Sequence, residues 1–291
     1  MATQQLAPVL PVVHAYADHR PVLDVKTRWE PRRVWCTRTA DHADAPGQEY
    51  VVKFRRPGTG TAALISEVVC HALLQALGLP SLVAARVSVG ERMARSYNDA
   101  RTVDYEVLPG LHFGTAWRPD VQAGPPESWE QLADPEELVR IWAADCWLMT
   151  PDRRTYGNIL LADPDSMGRF HLIPADQSDC FLGSGSLQDG SYTGRSADHG
   201  AAPYLDLLER AFVERGCVAL HDMARRIAGA TAAVPTALKR VPDEWWAEAE
   251  VNQRDLAACL HERANRARII LEIEKWEGLG NATAGGHLFD L

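Results

Sequence analysis

Residues 150–179 read TPDRRTYGNILLADPDSMGRFHLIPADQSD, and this stretch decides the fold class. Two apolar runs, ILL from residue 159 and FHLIPA from residue 170, are separated by the turn-forming residues DPDSMG, which predicts an antiparallel β-hairpin. Asn158 would begin the first strand and Asp176 would follow the second. Both side chains would then emerge at the same end of the hairpin, close to Asp152 in the preceding loop.

The side chains at this end of the hairpin suit phosphoryl transfer. Carboxylate and amide oxygens such as those of Asp176 and Asn158 are ligands for Mg²⁺, and Asp152 can orient a hydroxyl as a base. Catalysis of phosphoryl transfer consists mainly of positioning and charge neutralisation, so it needs these groups and little else. The plainer interpretation is that Asp and Asn are ordinary loop residues whose spacing arose by chance.

A lysine and a glutamate upstream both lie where a lone charge would be costly. Lys53 is in the apolar run YVVKF, and Glu67 is in the mostly apolar helical run ISEVVCH. An ion pair between them would satisfy both charges and would hold the lysine toward nucleotide phosphates. Taken singly, Lys53 could instead lie on the solvated face of an edge strand. Glu67 could be exposed near a helix N-terminus, where the macrodipole favours a carboxylate.

The chain divides into a strand-rich front and a helix-rich rear. RRVWCTRTA and EYVVKFRR, joined by turn formers, predict a second hairpin. Further strands are predicted over 81–90 and 103–117, and helices over 59–78, 134–150, 203–229, 242–251 and 255–276. Residues 118–133, which contain three prolines and a glycine, are the expected linker. We therefore predict an α+β, two-lobed layout with an N-lobe over 1–117, a linker over 118–133 and a C-lobe over 134–291.

Composition narrows the function classes. The 291 residues carry 30 Lys and Arg against 39 Asp and Glu, a net charge of −9, which disfavours direct nucleic-acid binding. The N-terminus lacks a basic segment followed by a long apolar core, and no apolar run is long enough for a membrane span. The six cysteines form no CxxC pair, which favours reduced thiols over disulfides or zinc. A cytoplasmic protein without a membrane partner is the expectation.

Several motifs together resemble one family. They are YVVKF, ISEVVCHALLQALGLPSLVAARV, PGLHFGTAW, IWAADCWLMTPDRRTYGNILL and FHLIPADQSD. The chain resembles the HipA-like kinases, relatives of protein kinases and phosphatidylinositol 3/4-kinases. It is similar to their compact branch, which lacks the additional N-terminal subdomain. The similarity covers most of the chain after about residue 30.

The resemblance implies a protein-kinase-like fold with a β-rich N-lobe, one main N-lobe helix and a mainly helical C-lobe. It also implies an ATP- and Mg²⁺-dependent phosphotransferase acting on a hydroxyl, that of Ser or Thr in a protein or peptide. By this resemblance, Lys53 would contact the nucleotide phosphates and Glu67 would pair with that lysine. The strand around Glu106, Val107 and Leu108 would be the hinge that binds adenine. Asp152 would be the catalytic base, and Asn158 and Asp176 would bind magnesium.

Two departures from the family pattern keep alternatives open. Asp152 precedes Asn158 by six residues where the family has five, and Gln177 and Ser178 follow Asp176 where His-Gly is expected. One alternative is a pseudokinase that serves as a nucleotide-binding or scaffold module, and another is a small-molecule kinase. The glycine-rich segment GSGSLQDGSYTGRS after Asp176 is predicted to be an exposed loop.

Overall fold

The computed structural model of the chain describes residues 9–21, 31–38, 47–56, 59–100, 105–124, 126–153, 157–192, 207, 210, 211 and 217–277. Within them the architecture is mixed α+β, with a strand-rich N-terminal region and a helical C-terminal region, as predicted. Over these described residues, no helix combines the length and apolarity needed to cross a membrane.

The strands of the N-terminal region close into a barrel in the order β1-β2-β3-β5-β4. They are β1 (Val12–Pro21), β2 (Arg32–Thr37), β3 (Gln48–Lys53), β4 (Ala84–Val89) and β5 (Gly110–Ala116). Alternate side chains point inward, so Val34 and Val52 are fully buried. The predicted β2–β3 hairpin is confirmed, with Val34 opposite Tyr50. A parallel pairing of β1 with β4 closes the barrel.

Helix α1 (Thr59–Ala76) follows β3 and is buried along most of its length. Its apolar residues occur on all sides, which is typical of a core helix. Val68 and Leu73 join a core that also contains Trp147 and Trp245 of the C-terminal region. The helix ends at Ala76, and Gly78, with a φ of 72°, turns the chain so that the Leu79 N–H donates to the Leu74 carbonyl at 3.0 Å.

A second sheet carries the stretch quoted at the outset. It consists of β6 (Gln122–Ala123), β7 (Ile159–Ala162) and β8 (His171–Pro174), in that order. The predicted hairpin is confirmed, with Ile159 opposite Pro174. Part of the expected linker joins this sheet, because Gln122 pairs with Leu161. The hairpin therefore places Asn158 and Asp176 at the same end.

The remaining helices pack mainly against one another and against α1. They are α2 (Glu91–Ala100), α3 (Glu136–Leu148), α4 (Ser184–Asp189), α5 (Cys217–Ala230), α6 (Val234–Lys239), α7 (Asp243–Ala249) and α8 (Gln253–Glu277). Before α3, Asp134 Oδ1 accepts the Glu136 N–H at 3.0 Å, which satisfies one N–H of the first helical turn.

Two predicted elements differ from the structure. Glu106, Val107 and Leu108 form no strand, because both backbone groups of Val107 bond the side chain of Asn98, at 2.8 and 3.0 Å, rather than a neighbouring strand. The predicted loop after Asp176 contains α4, in which Ser184 and Leu187 are buried. The end of that predicted loop, from residue 193, lies outside the described residues.

Candidate functional site

The predicted lysine–glutamate pair is present and extends to a third residue. Lys53, the last residue of β3, forms ion pairs with Glu67 of α1 and with Asp176, which follows β8. The Ser178 hydroxyl lies 3.4 Å from Lys53 Nζ. Lys53 and Glu67 are 9% and 3% exposed, so the plainer placements on a solvated strand face and at an exposed helix start are both wrong.

Burial and mutual attraction set the charges of this cluster. Burial alone lowers the pKa of Lys53, but Asp176 and Glu67 outweigh it, so the pKa lies above its usual range and the ammonium stays charged. Burial likewise opposes ionisation of Asp176, yet Lys53 and Ser178 bring its pKa down to about 2. Burial raises the pKa of Glu67 to about 7 against the attraction of Lys53. At neutral pH the cluster is thus a charged lysine held by at least one carboxylate.

The loop between α3 and β7 brings Asp152 and Asn158 into contact. Asn158 Nδ2 donates to Asp152 Oδ2 and to the Asp152 carbonyl, both at 2.9 Å. The other carboxylate oxygen, Oδ1, is buried and has no hydrogen-bond partner among the described residues. The six-residue spacing therefore does not separate this aspartate from the asparagine.

The environment of Asp152 favours proton acceptance near neutral pH. Burial raises the pKa of its carboxyl to about 6, and the nearby charges of Asp176 and Asp179 act in the same direction. Arg153 and the hydrogen bond from Asn158 oppose this shift. A carboxylate with such a raised pKa is a stronger base than a solvated aspartate.

Arg153 is a functional residue that the sequence analysis missed. It is 6% exposed, and its Nε and Nη2 bind the buried Asp145 carboxylate of α3 at 2.9 and 2.8 Å. Its Nη1 donates to the carbonyls of Asn158 and Ala175, each at 2.6 Å, and Nη2 reaches Gln177 Oε1 at 3.0 Å. One guanidinium therefore ties the loop of Asp152 to both strands of the hairpin at its open end. The only sequence signal for Arg153 was its position next to Asp152, and an arginine in a polar loop is not unusual in itself.

These side chains line a cleft of about 510 Å³, within the roughly 300–1,000 Å³ typical of ligand pockets. Residues from the barrel side include Val51, Lys53, Phe113, Thr115 and Trp117, and those from the second sheet and its loops include Asp152, Asn158, Leu160, Pro174 and Asp176. Glu106, Val107 and Leu108 are absent from the lining, and Val107 is buried in the barrel core instead. The structure therefore does not bring the three predicted hinge residues into this cleft. Farther along the chain, Phe113 of β5 and the residues from Thr115 to Arg118, at the end of β5 and just beyond it, line the cleft.

The donor set at the hairpin end fits a hard cation. Asp176 remains 29% exposed and lines the cleft beside Asn158. Since Asn158 Nδ2 is engaged with Asp152, the amide oxygen is the atom that this side chain would offer to a metal. Carboxylate and amide oxygens of this kind suit Mg²⁺, which usually takes only one or two protein ligands. Across the described ranges, no cluster of three or more His, Cys, Asp or Glu forms an all-protein metal site.

Comparison with known proteins gives three findings. Residues 39–173, slightly less than half of the chain, match the profile of the HipA-like kinase family. No curated protein sequence matches the chain. Among solved structures, the fold is similar to the crystal structure of a Helicobacter pylori proinflammatory kinase, CtkA, with a TM-score of 0.52 and 11% identity over 95% of this chain and 100% of the other.

The family match and the geometry concern the same residues. The matched range contains Lys53, Glu67 and the loop that joins α3 to β7. Asp176 lies three residues beyond the end of the range. The predicted similarity to the HipA-like kinases is thereby confirmed for the part of the chain that holds Lys53, Glu67, Asp152 and Asn158.

Proposed function

We propose that this protein is an ATP- and Mg²⁺-dependent phosphotransferase that phosphorylates a hydroxyl, that of Ser or Thr in a protein or peptide. The observation that carries the proposal is the convergence of Lys53, Glu67 and Asp176 with the Asp152–Asn158 pair in one cleft. Phosphoryl transfer requires a cation to neutralise phosphate charge, oxygen ligands for the metal and a base for the hydroxyl, and Lys53, the Asp176–Asn158 oxygens and Asp152 would supply them. The family similarity of residues 39–173 supports the same reaction class.

Each side chain has a role that its environment supports. Lys53, kept charged by Glu67 and Asp176, would bind nucleotide phosphates and stabilise the charge on the transferred group. Asp176 and Asn158 would hold Mg²⁺, which when bound neutralises charge on the phosphate oxygens. Asp152, oriented by Asn158 and with one oxygen that no described residue hydrogen-bonds, would accept the hydroxyl proton of the substrate.

The cleft also suggests where the nucleobase binds. We place it against the end of β5, where Thr115 and Trp117 lie beside Val51 of the neighbouring strand β3. The barrel would then act as the N-lobe of a two-lobed kinase fold over 1–117 and the helical region as the C-lobe over 134–291. The segment 118–133 would be the linker, attached to the C-lobe by β6.

A thermal-shift experiment tests the nucleotide site. We expect ATP with Mg²⁺ to stabilise the wild type, by about 2.7 kcal/mol when the nucleotide is at 100 times its Kd. Asp176→Ala should lose the metal-dependent part of this shift. A wild type that shows no shift at millimolar nucleotide would contradict the proposal.

A phosphate-transfer assay then separates an active kinase from a pseudokinase. The wild type, offered Ser- and Thr-containing peptides and proteins, should transfer the terminal phosphate of ATP. Asp152→Ala should bind nucleotide normally but lose at least about a hundredfold in transfer, as expected for removal of a general base. Full transfer by Asp152→Ala would remove the assigned base. Tight Mg²⁺-nucleotide binding without transfer to these acceptors would contradict the assigned substrate class and leave the pseudokinase and the small-molecule kinase as the alternatives.

A further inference from the structure

One carboxylate of the C-terminal region contacts both ends of the connection between β3 and α1. Glu248, on α7, accepts a hydrogen bond from Arg55 Nη1 to Oε2 at 3.0 Å. Its other oxygen, Oε1, lies 2.7 Å from the Thr61 hydroxyl. That hydroxyl is also 2.9 Å from the Arg56 carbonyl, and its single hydrogen favours the charged acceptor. Both oxygens of Glu248 are therefore used, one on each side of the connection.

The two residues held by Glu248 lie next to the residues of the site. Arg55 comes shortly after Lys53, and its backbone N–H donates to His112 Nδ1 of β5 at 2.6 Å. Thr61 is in the first turn of α1, the helix that carries Glu67, and it is fully buried. The placement of β3 relative to α1 sets how Lys53 meets Glu67. Glu248 therefore acts on that placement from outside the cleft.

The position of Glu248 in its helix does not explain the presence of a carboxylate, whereas the contacts of Glu248 with Arg55 and Thr61 do. It lies in the last turn of α7, where the helix macrodipole disfavours a carboxylate. The side chains of Arg55 and Glu248 are only 14% and 26% exposed, so solvent screens the pair less than it would a surface pair. The helix itself is anchored in the core through Trp245, which is fully buried.

We propose that Glu248 is a positioning residue, through which α7 fixes the β3–α1 connection and so the alignment of Lys53 with Glu67. Its catalytic consequence rests on the proposed phosphotransferase function, because alignment of that pair matters for catalysis only if Lys53 binds phosphate. The positioning itself can be measured without any transfer reaction.

The test compares Glu248→Ala with Glu244→Ala in the full chain. Glu244 is on the same helix and exposed, so the control removes the same charge without touching the connection. Amide hydrogen exchange should become about tenfold faster in Glu248→Ala at Arg55 and over residues 59–67, because local opening no longer breaks the Glu248 contacts. Glu244→Ala should leave these amides unchanged. Glu248→Gln, which keeps one acceptor oxygen, should fall between.

Nucleotide binding gives the second readout. Mg²⁺-ATP affinity, measured by calorimetry, should fall several-fold in Glu248→Ala and stay at the wild-type value in Glu244→Ala. Unchanged exchange at Arg55 and residues 59–67 would overturn the positioning role, whether or not the protein transfers phosphate. Uniformly faster exchange across the whole chain would also overturn it, because Glu248 would then only add global stability. Local acceleration in a protein that transfers no phosphate would support the positioning and contradict only the proposed function.

Discussion

At the scale of single residues, Arg153 shows how a buried charge can organise a site without lining the cleft. Its partner Asp145 is 2% exposed and is held by two guanidinium nitrogens. Removing one member of a buried ion pair leaves an uncompensated charge, which typically costs about 3–5 kcal/mol. We therefore expect Arg153→Met to lower the free energy of unfolding by about that amount, measured by urea denaturation.

A control and a second variant sharpen this prediction. Arg140→Ala removes a more exposed arginine paired with Asp134 and Glu136 on α3, and should cost no more than about 1 kcal/mol. Combining Arg153→Met with Asp145→Asn removes both charges, so the double variant should be more stable than Arg153→Met alone. A loss below 1 kcal/mol for Arg153→Met would mean that Asp145 is satisfied without the guanidinium.

His112 predicts a dependence of stability on pH. It is fully buried in the barrel, and burial, reinforced by the charge of Arg55, lowers its pKa to about 3 from 6.5. Between pH 6.5 and about pH 3, the unfolded chain therefore binds a proton at His112 that the folded chain does not bind. The free energy of unfolding consequently decreases as the pH falls below 6.5. From pH 7 to pH 5 the loss attributable to His112 is about 2 kcal/mol.

The variant His112→Gln isolates this contribution. A glutamine oxygen can still accept the Arg55 N–H, but the side chain does not titrate. Urea denaturation at pH 7 and pH 5 should show a loss about 2 kcal/mol smaller in the variant than in the wild type. The difference between the proteins is the informative quantity, because the raised pKa values of Glu67 and Asp152 act in the opposite direction in both. Equal losses would show that folded His112 accepts a proton at pH 5.

At the scale of elements, short-range pattern predicted the paired strands and long-range packing decided the rest. The β2–β3 and β7–β8 hairpins are joined by local turns, so alternation and turn residues were sufficient to identify them. The prediction had Lys53 within its strand and Asn158 at the start of the next hairpin, whereas in the structure Lys53 is the last residue of β3 and Asn158 directly precedes β7. The Lys53–Glu67 pair followed from the cost of burying either charge alone.

The elements that sequence pattern missed depend on distant partners. The apolar run around Val107 resembles a strand, but the side chain of Asn98 on α2 takes its backbone hydrogen bonds. In α4, a glycine-rich sequence is helical because Leu187 is buried against the core. Arg153 and Glu248 likewise gain their roles from Asp145, Arg55 and Thr61, which no local pattern connects to them. Tertiary contacts of this kind override local propensity.

At the scale of the whole molecule, the chain passes from the barrel to the second sheet along one wall of the cleft. β5 ends at Ala116, and β6 begins at Gln122, so Trp117 lies at the start of this crossing. Its backbone N–H bonds the Glu49 carbonyl at 2.8 Å, and the Arg33 guanidinium lies 4.2 Å from its ring centroid. The tryptophan is thus fixed to the barrel while it lines the cleft.

This placement yields a prediction that distinguishes the two candidate positions for nucleobase binding. Stacking of a base on an aromatic side chain is worth about 1–3 kcal/mol by alanine substitution, so Trp117→Ala should weaken Mg²⁺-ATP binding by at least about fivefold. Glu106→Ala should leave the affinity unchanged, because Glu106 is exposed and does not line the cleft. Calorimetric titration of both variants measures the difference, with unfolding temperatures as a check that each remains folded. If Glu106→Ala weakened binding and Trp117→Ala did not, the base would bind at the position first predicted from the sequence, and the cleft would have to rearrange around the nucleotide to allow it.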